Sequence, residues 1–168
     1  LTVCGVIWSN AGNGVRAEAF RGAGFARSNR VEHCTIAWNS NHQVYVTGYC
    51  EVWLSNSIVV ASGPSNCCAF EAHTYKGGGG IYYGDYNDLH AVNGAFVGGL
   101  YLWDPGITTY FSLSAWQAQG DDANSLGADP RFVDGAGGDF HLRSSAPSGT
   151  YVKALSGWPS FPGDFSPC

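Results

Sequence analysis

Short runs of alternating apolar and polar residues fill the first half of the chain. Val31-x-x-Cys34-x-Ile36 is followed by Val44-x-Val46, then Cys50-x-Val52-x-Leu54, then Ile58-x-Val60. Alternation of this kind, rich in β-branched residues, predicts strands with one buried and one outward face. Asn, Gly and Ser separate the runs, as tight turns require. Helical spacing is nearly absent, because glycines interrupt almost every window. The exception is Ser112–Gln119 (SLSAWQAQ), where Ser112 or Ser114 can cap a helix of about one or two turns.

The runs also resemble one another. CGVIWSN at Cys4–Asn10 returns as CTIAWNS at Cys34–Ser40 and again as NSIVVAS at Asn56–Ser62, with IYYGDYN at Ile81–Asn87 as a looser fourth copy. Repeats of roughly 20–30 residues, each holding short strands, predict a β-solenoid. A flat antiparallel sandwich gives short strands too, but gives them no reason to be alike. Stacked coils put equivalent residues about 4.8 Å apart. Cys4 is therefore expected over Cys34, Ile7 near Ile36, and Ile36 near Ile58. Asn39, Asn41 and Asn56 fall at bends, where Asn tolerates left-handed backbone and its amide can bond the next coil.

Two stretches carry a family resemblance. HCTIAWNSNHQVYVTGYCEVWLSNSIVVAS resembles coils of right-handed parallel β-helix repeat proteins of the pectate-lyase-like superfamily. The later stretch through Tyr110, Ser112, Leu113 and Trp116, then Ala128-Asp129-Pro130-x-Phe132-Val133-Asp134 and Gly138-Asp139-Phe140-His141-Leu142, resembles the closing segment of large secreted bacterial β-helix proteins. Ser166-Pro167-Cys168 resembles the start of the tail that follows in such proteins. The resemblance implies an all-β fold: a right-handed parallel β-helix with coils to about residue 100 and an irregular closing segment containing one short helix, together spanning 1–145. A Pro/Gly-rich extended tail covers 146–168. It leaves function open, since the superfamily holds lyases, hydrolases, epimerases, adhesins and structural proteins.

Composition narrows the classes. With 45% hydrophobic and 12% charged residues, the 168-residue chain can bury one core and does not read as disordered. A net charge of −5 without any basic cluster excludes a nucleic-acid surface. No apolar stretch approaches the roughly 20 residues that span a bilayer. Without an initiator Met or a leader, the chain reads as processed or excised. Cys4, Cys34, Cys50, Cys67, Cys68 and Cys168 lack zinc-site spacing. Their even number predicts disulfides and a secreted or cell-surface location, and the 6 cysteines allow fifteen pairings.

Candidate chemistry is sparse. A β-helix lyase needs clustered Asp/Glu for Ca²⁺ and an Arg or Lys base over consecutive coils; residues 31–62 offer Glu32, His33, His42 and Glu51 at positions that do not match. Asp85, Asn87 and Asp88 can bind a hard cation such as Ca²⁺ or simply form a turn. Asp121, Asp122 and Asn124 can join them as a glycosidase-like carboxylate set, and Asp129, Asp134 and Asp139 read as turn and strand-end residues. Glu71 and His73 share one side of a strand, whereas His33 and His141 read as packed or hydrogen-bonded. Gly77–Gly80 reads as a loop tip. Tyr75, Tyr82, Tyr83, Tyr86, Tyr101, Trp103 and Tyr110 crowd the second half; Tyr82, Tyr83, Tyr86, Tyr101 and Trp103 are candidates for glycan or partner contact, or for covering the end of the solenoid. Three functions follow: a self-associating or end-docking structural module, which leads because no catalytic set is evident; a polysaccharide lyase or glycoside hydrolase; and a non-catalytic glycan-binding module.

Overall fold

The computed structural model describes residues 2–19, 27–74, 78–102, 104 and 106–142. The tail expected over 146–168, with Cys168, lies outside them, as do Trp103, Tyr75 and the side chains of Cys4 and His73. The strands run in chain order as β1 (Thr2–Trp8), β2 (Val15–Ala19), β3 (Arg27–Ala37), β4 (Val44–Gly48), β5 (Cys50–Ser55), β6 (Ile58–Ser62) and β7 (Cys67–Thr74). They continue as β8 (Gly78–Gly79), β9 (Ile81–Asp85), β10 (Asp88–Val92), β11 (Phe96–Leu102), β12 (Gly106–Tyr110), β13 (Phe132–Asp134) and β14 (Asp139–Leu142). One helix, α1 (Leu113–Gln117), interrupts them. The fold is mostly β, as the alternation predicts.

Two six-stranded sheets form, parallel throughout except that β12 on β11 and β8 on β7 are antiparallel. The first has the order β10-β6-β3-β5-β9, with β1 also on β3; the second runs β12-β11-β7-β4-β2, with β8 on β7. Strands stack in rows because β3 bends at His33, whose φ is +55°. Its first half pairs β5, and β5 pairs β9. Its second half lies between β1 and β6, and β6 pairs β10. β2, β4, β7 and β11 form the third row. The chain thus returns to the same three rows in the same order.

Burial fixes the register. Ile7, Ile36, Val59 and Leu89 are in line, and the last three are almost wholly buried. Each contributes about 1.5–3 kcal/mol of hydrophobic stabilisation. Two sequence expectations move by one residue. Ile58 lies beside Thr35, so Val59 takes the place under Ile36. Gly5, not Cys4, lies beside Cys34, because the register shifts between Val3 and Gly5. The likeness of the segments follows Cys and Trp, whereas pairing obeys the inward-facing positions. IYYGDYN is likewise not a fourth copy of that row. It pairs β5, and Asp88–Val92 is the strand that continues the row.

Two corners are held by side chains. At the first, His33, Asn56 and Tyr86 all take left-handed backbone at successive bends. Behind them the Cys34 amide donates to Ser57 Oγ (3.1 Å), the Ser57 amide to Asn87 Oδ1 (3.1 Å) and the Asn87 amide to Ser125 Oγ (2.8 Å). At the second, Asn10 Nδ2 donates to Asn39 Oδ1 (2.7 Å), Asn39 Nδ2 to Gln43 Oε1 (2.8 Å) and Gln43 Nε2 to Asn66 Oδ1 (2.9 Å). Asn39 and Gln43 are fully buried. The stacked amides expected at the bends therefore exist at Asn39, while Asn41 is exposed.

Two further expectations are corrected. No disulfide joins Cys34, Cys50, Cys67 and Cys68. Cys67 and Cys68 are free thiols that face different clusters, one with Phe70 and one in the main core. Each donates to a carbonyl, Cys67 to Ala69 O (2.8 Å) and Cys68 to Val59 O (3.7 Å). Gly78–Gly80 is not a loop tip: β8 pairs β7, and Gly80 lies so close to Val46 that a Cβ would sit 2.5 Å from its carbonyl carbon. His33 and His141 are both exposed, and His141 is hydrogen-bonded as expected, its amide and its Nδ1 both meeting Asp139 Oδ1.

The two ends of the rows differ. α1 begins where Ser112 Oγ accepts from the Ala115 amide, as its capping position predicts. It drives Trp116 against Gly98, where a Cβ would fall 2.0 Å from the indole. Next comes Asp122, fully buried with φ +55°. Its Oδ2 accepts from Tyr82 OH (3.0 Å) and Trp116 Nε1 (2.9 Å), its Oδ1 from Asn87 Nδ2 (3.0 Å) and Ser125 Oγ (2.6 Å). The β13–β14 hairpin then docks outside the β1–β3–β6–β10 row, packing Phe132 on Ala37 and Val60, and Phe140 on Trp8 and Trp38.

Candidate functional site

A groove of about 290 Å³ opens on the outer face of the β3–β5–β9 row. Alternation dictates its lining. Residues two apart on one strand face the same way, so Arg30, Trp53 and Tyr83 form one outward line and Glu32, Ser55 and Asp85 the next. Ser55 is small, which leaves the hollow, and Gly120-Asp121 closes it at the α1 end. The rings of Trp53 and Tyr83 stack at 4.2 Å with 28° between planes. Both stay substantially exposed, at 42% and 38%.

The opposite wall is acidic. Asp85 Oδ1 accepts from the Asn124 amide (2.8 Å) and the Tyr86 amide (3.0 Å), and Oδ2 accepts from Asn124 Nδ2 (2.9 Å). Burial, then the carboxylates of Asp122 and Glu71, push the Asp121 carboxyl up to about 6. Arg30 Nη1 lies 3.4 Å from Glu32 Oε1, in an exposed pair of little energetic weight.

The residues singled out in the sequence scatter. Asp85 lines the groove. Asn87 is buried and donates to Leu54 O (2.9 Å) as well as to Asp122. Asp88 is buried elsewhere, accepting from the Ala128 amide (2.9 Å), and burial pushes its carboxyl up to about 7. Among the described residues no three His, Cys, Asp or Glu converge as a metal site would. The Asp121–Asn124 segment does meet Asp85–Asp88, but through amide–carboxylate bonds that fasten the two loops together.

Of the aromatic candidates, Tyr82 is buried beneath α1 against Trp116. Burial and the neighbouring Asp122 push its hydroxyl well above its ordinary range. Tyr83 is in the groove, Tyr86 is exposed at the corner, and Tyr101 packs on the Phe70 cluster of the other sheet. Trp53 was no candidate in the sequence. Its signal was there: it is the outward position of Cys50-x-Val52-x-Leu54, as Tyr83 is of its own strand.

A second outer cluster lies on the β4–β7 row. His42 stacks on Phe70 at 4.3 Å and on Tyr45 at 5.7 Å, with the Arg16 guanidinium 5.6 Å from the Tyr45 ring. Burial pushes the imidazole down to about 4, and its buried Nδ1 has no hydrogen-bond partner among the described residues.

Compared with protein-family models, with curated proteins and with solved structures, the chain matches none. Among the described residues no helix is long and apolar enough to cross a membrane.

Proposed function

We propose that this chain is the closed end of a right-handed parallel β-helix of the pectate-lyase-like kind, serving as a secreted or cell-surface structural module that docks through its other end. Three parallel rows visited in constant order support the β-helix reading, and the strong preference of parallel crossovers supports its hand. The extracellular placement rests on the resemblance of the closing segment to secreted bacterial proteins.

The observation that carries the docking reading is the contrast between the ends. At the α1 end the closing segment lies against each row, although β9, β10 and β12 remain the edge strands of their sheets. Asp122 donates its amide to Gly84 O (2.7 Å), Leu89 donates to Leu126 O (2.7 Å), and β12 pairs antiparallel on β11. At the other end, among the described residues, β1 pairs only with β3 and β2 only with β4. Unpaired edges are templates for another strand. Because the closing segment already lies against the α1 end, this reading has two copies meeting through β1 and β2, as closed pairs rather than a filament.

Sizing chromatography with light scattering and negative-stain microscopy tests this. Defined pairs, dissociating on dilution, are expected. A monodisperse monomer at high protein concentration would overturn docking, and filaments would overturn the closed-pair geometry.

A further inference from the structure

The groove beside Trp53 plays no part in docking through the open end, and its lining specifies a ligand class. We propose that it binds an organic ammonium group carried on an apolar or hydroxylated scaffold. Trp53 and Tyr83 take the scaffold, and Glu32, Asp85 and Asp121 along the groove supply the counter-charge for the ammonium.

Shape comes first. The line Glu32–Ser55–Asp85 dips at Ser55, beside Gly84, while the line Arg30–Trp53–Tyr83 stands up next to it. The hollow is a concave site near the small end of ligand pockets. Its aromatic wall is two rings of which about two fifths is exposed, so a ligand laid against them removes apolar surface from water. The ring faces of Trp and Tyr also attract cations.

Charge then selects among ligands. Three carboxyl groups face one guanidinium, and that guanidinium sits beside Glu32 at 3.4 Å. A uronate or a phosphate would meet net repulsion here. A neutral sugar can donate its hydroxyls to the acids but brings no charge to offset theirs, so its hydrogen bonds are the weaker ones. An ammonium ion satisfies both walls at once. Such a group is supplied either by an amino sugar or by a lysine side chain, and the groove chemistry is shared by both.

The test is calorimetric titration of the full chain at low ionic strength with four probes: a deacetylated glucosamine tetramer, its N-acetylated counterpart, N-acetyl-lysine methylamide and a galacturonate tetramer. Saturable binding of one or both amines is expected, with none for the acetylated and uronate oligomers, and the stronger amine identifies the source. Trp53→Ala, Glu32→Gln and Asp121→Asn, all at solvent-accessible positions, should each weaken it about tenfold while leaving the circular dichroism unchanged. Binding of the acetylated tetramer as strong as of the free amine would overturn the ammonium assignment. Absence of saturable binding by either amine, or variants that bind like the parent, would overturn the site.

Discussion

Replacing Asp122 by Ala tests the closure of the α1 end most directly. The carboxylate is fully buried and receives four side-chain donors, from Tyr82, Trp116, Asn87 and Ser125. Each donor is itself at most 9% exposed, so none gains bulk water when the acceptor goes. An orphaned buried donor costs about 1–3 kcal/mol. Allowing Ser125 and Tyr82 to turn their hydroxyls elsewhere, Trp116 and Asn87 still lose fixed N–H bonds. The net loss is therefore about 3–5 kcal/mol, similar to that of breaking other buried charged networks. In a chain of this size that lowers Tm by on the order of 10 °C. Ala at φ +55° adds strain, so Asp122→Asn is the companion variant, because Asn accepts that backbone. It keeps one acceptor but turns an N–H₂ toward donors, and should cost about half as much. Urea unfolding followed by Trp emission reads both, and native-state emission reports exposure of Trp116. A loss below about 1 kcal/mol for Asp122→Ala would refute the argument that this carboxylate ties the closing segment to the rows.

Other perturbations follow from the same geometry. Gly98→Ala puts a Cβ 2.0 Å from Trp116 and should destabilise by about 1–3 kcal/mol, measured by thermal melting; an unchanged Tm would mean that α1 is free to lift. His42, lowered to about 4 by burial, binds its proton more readily when unfolded. Its contribution to stability is thus whole above about pH 6.5 and is lost as pH falls toward 4. After discounting for partial exposure this amounts to about 1–2 kcal/mol, and His42→Phe should remove that part of the slope in pH-dependent melting. Asp88 has the opposite sign. Raised to about 7, it stabilises fully below about pH 3.8 and loses that contribution as pH rises through 7. Asp88→Asn, whose Oδ1 can still accept from the Ala128 amide, should raise stability at pH 8 by on the order of 2 kcal/mol; a lower Tm there would show that the carboxylate is needed ionised.

The strands were legible because burial writes itself into alternation. Cys50-Glu51-Val52-Trp53-Leu54 reads in, out, in, out, in, and the structure buries those residues in that order. Register was legible only to within one residue. Segments look alike through residues on both faces, such as Trp8 and Trp38, whereas pairing answers to the inward set alone. Ile58-Val59-Val60-Ala61 hid its polarity because the outward Val60 is covered by Phe132, a contact from seventy-two residues away. Asp122 was illegible for a related reason. A run of Asp-Asp-Ala-Asn looks solvated until a left-handed turn swings its second carboxylate under α1. The groove needed register as well as alternation, since Trp53 meets Tyr83 only once β5 and β9 are aligned.

The unequal ends give the molecule a direction in time as well as in space. Each row member leans chiefly on its neighbours above and below, so disruption travels along the stack. At one terminus Asp122, Trp116 and Tyr82 form a clasp; at the other, among the described residues, β1 pairs with β3 and β2 with β4, and no such clasp covers them. Amide hydrogens should therefore exchange in sequence, fastest in β1 and β2 and slowest beneath the clasp around Tyr82 and Leu89. A force or protease acting on such a body would peel it from one side, and whatever seats on β1 and β2 would act as a brake on that unravelling.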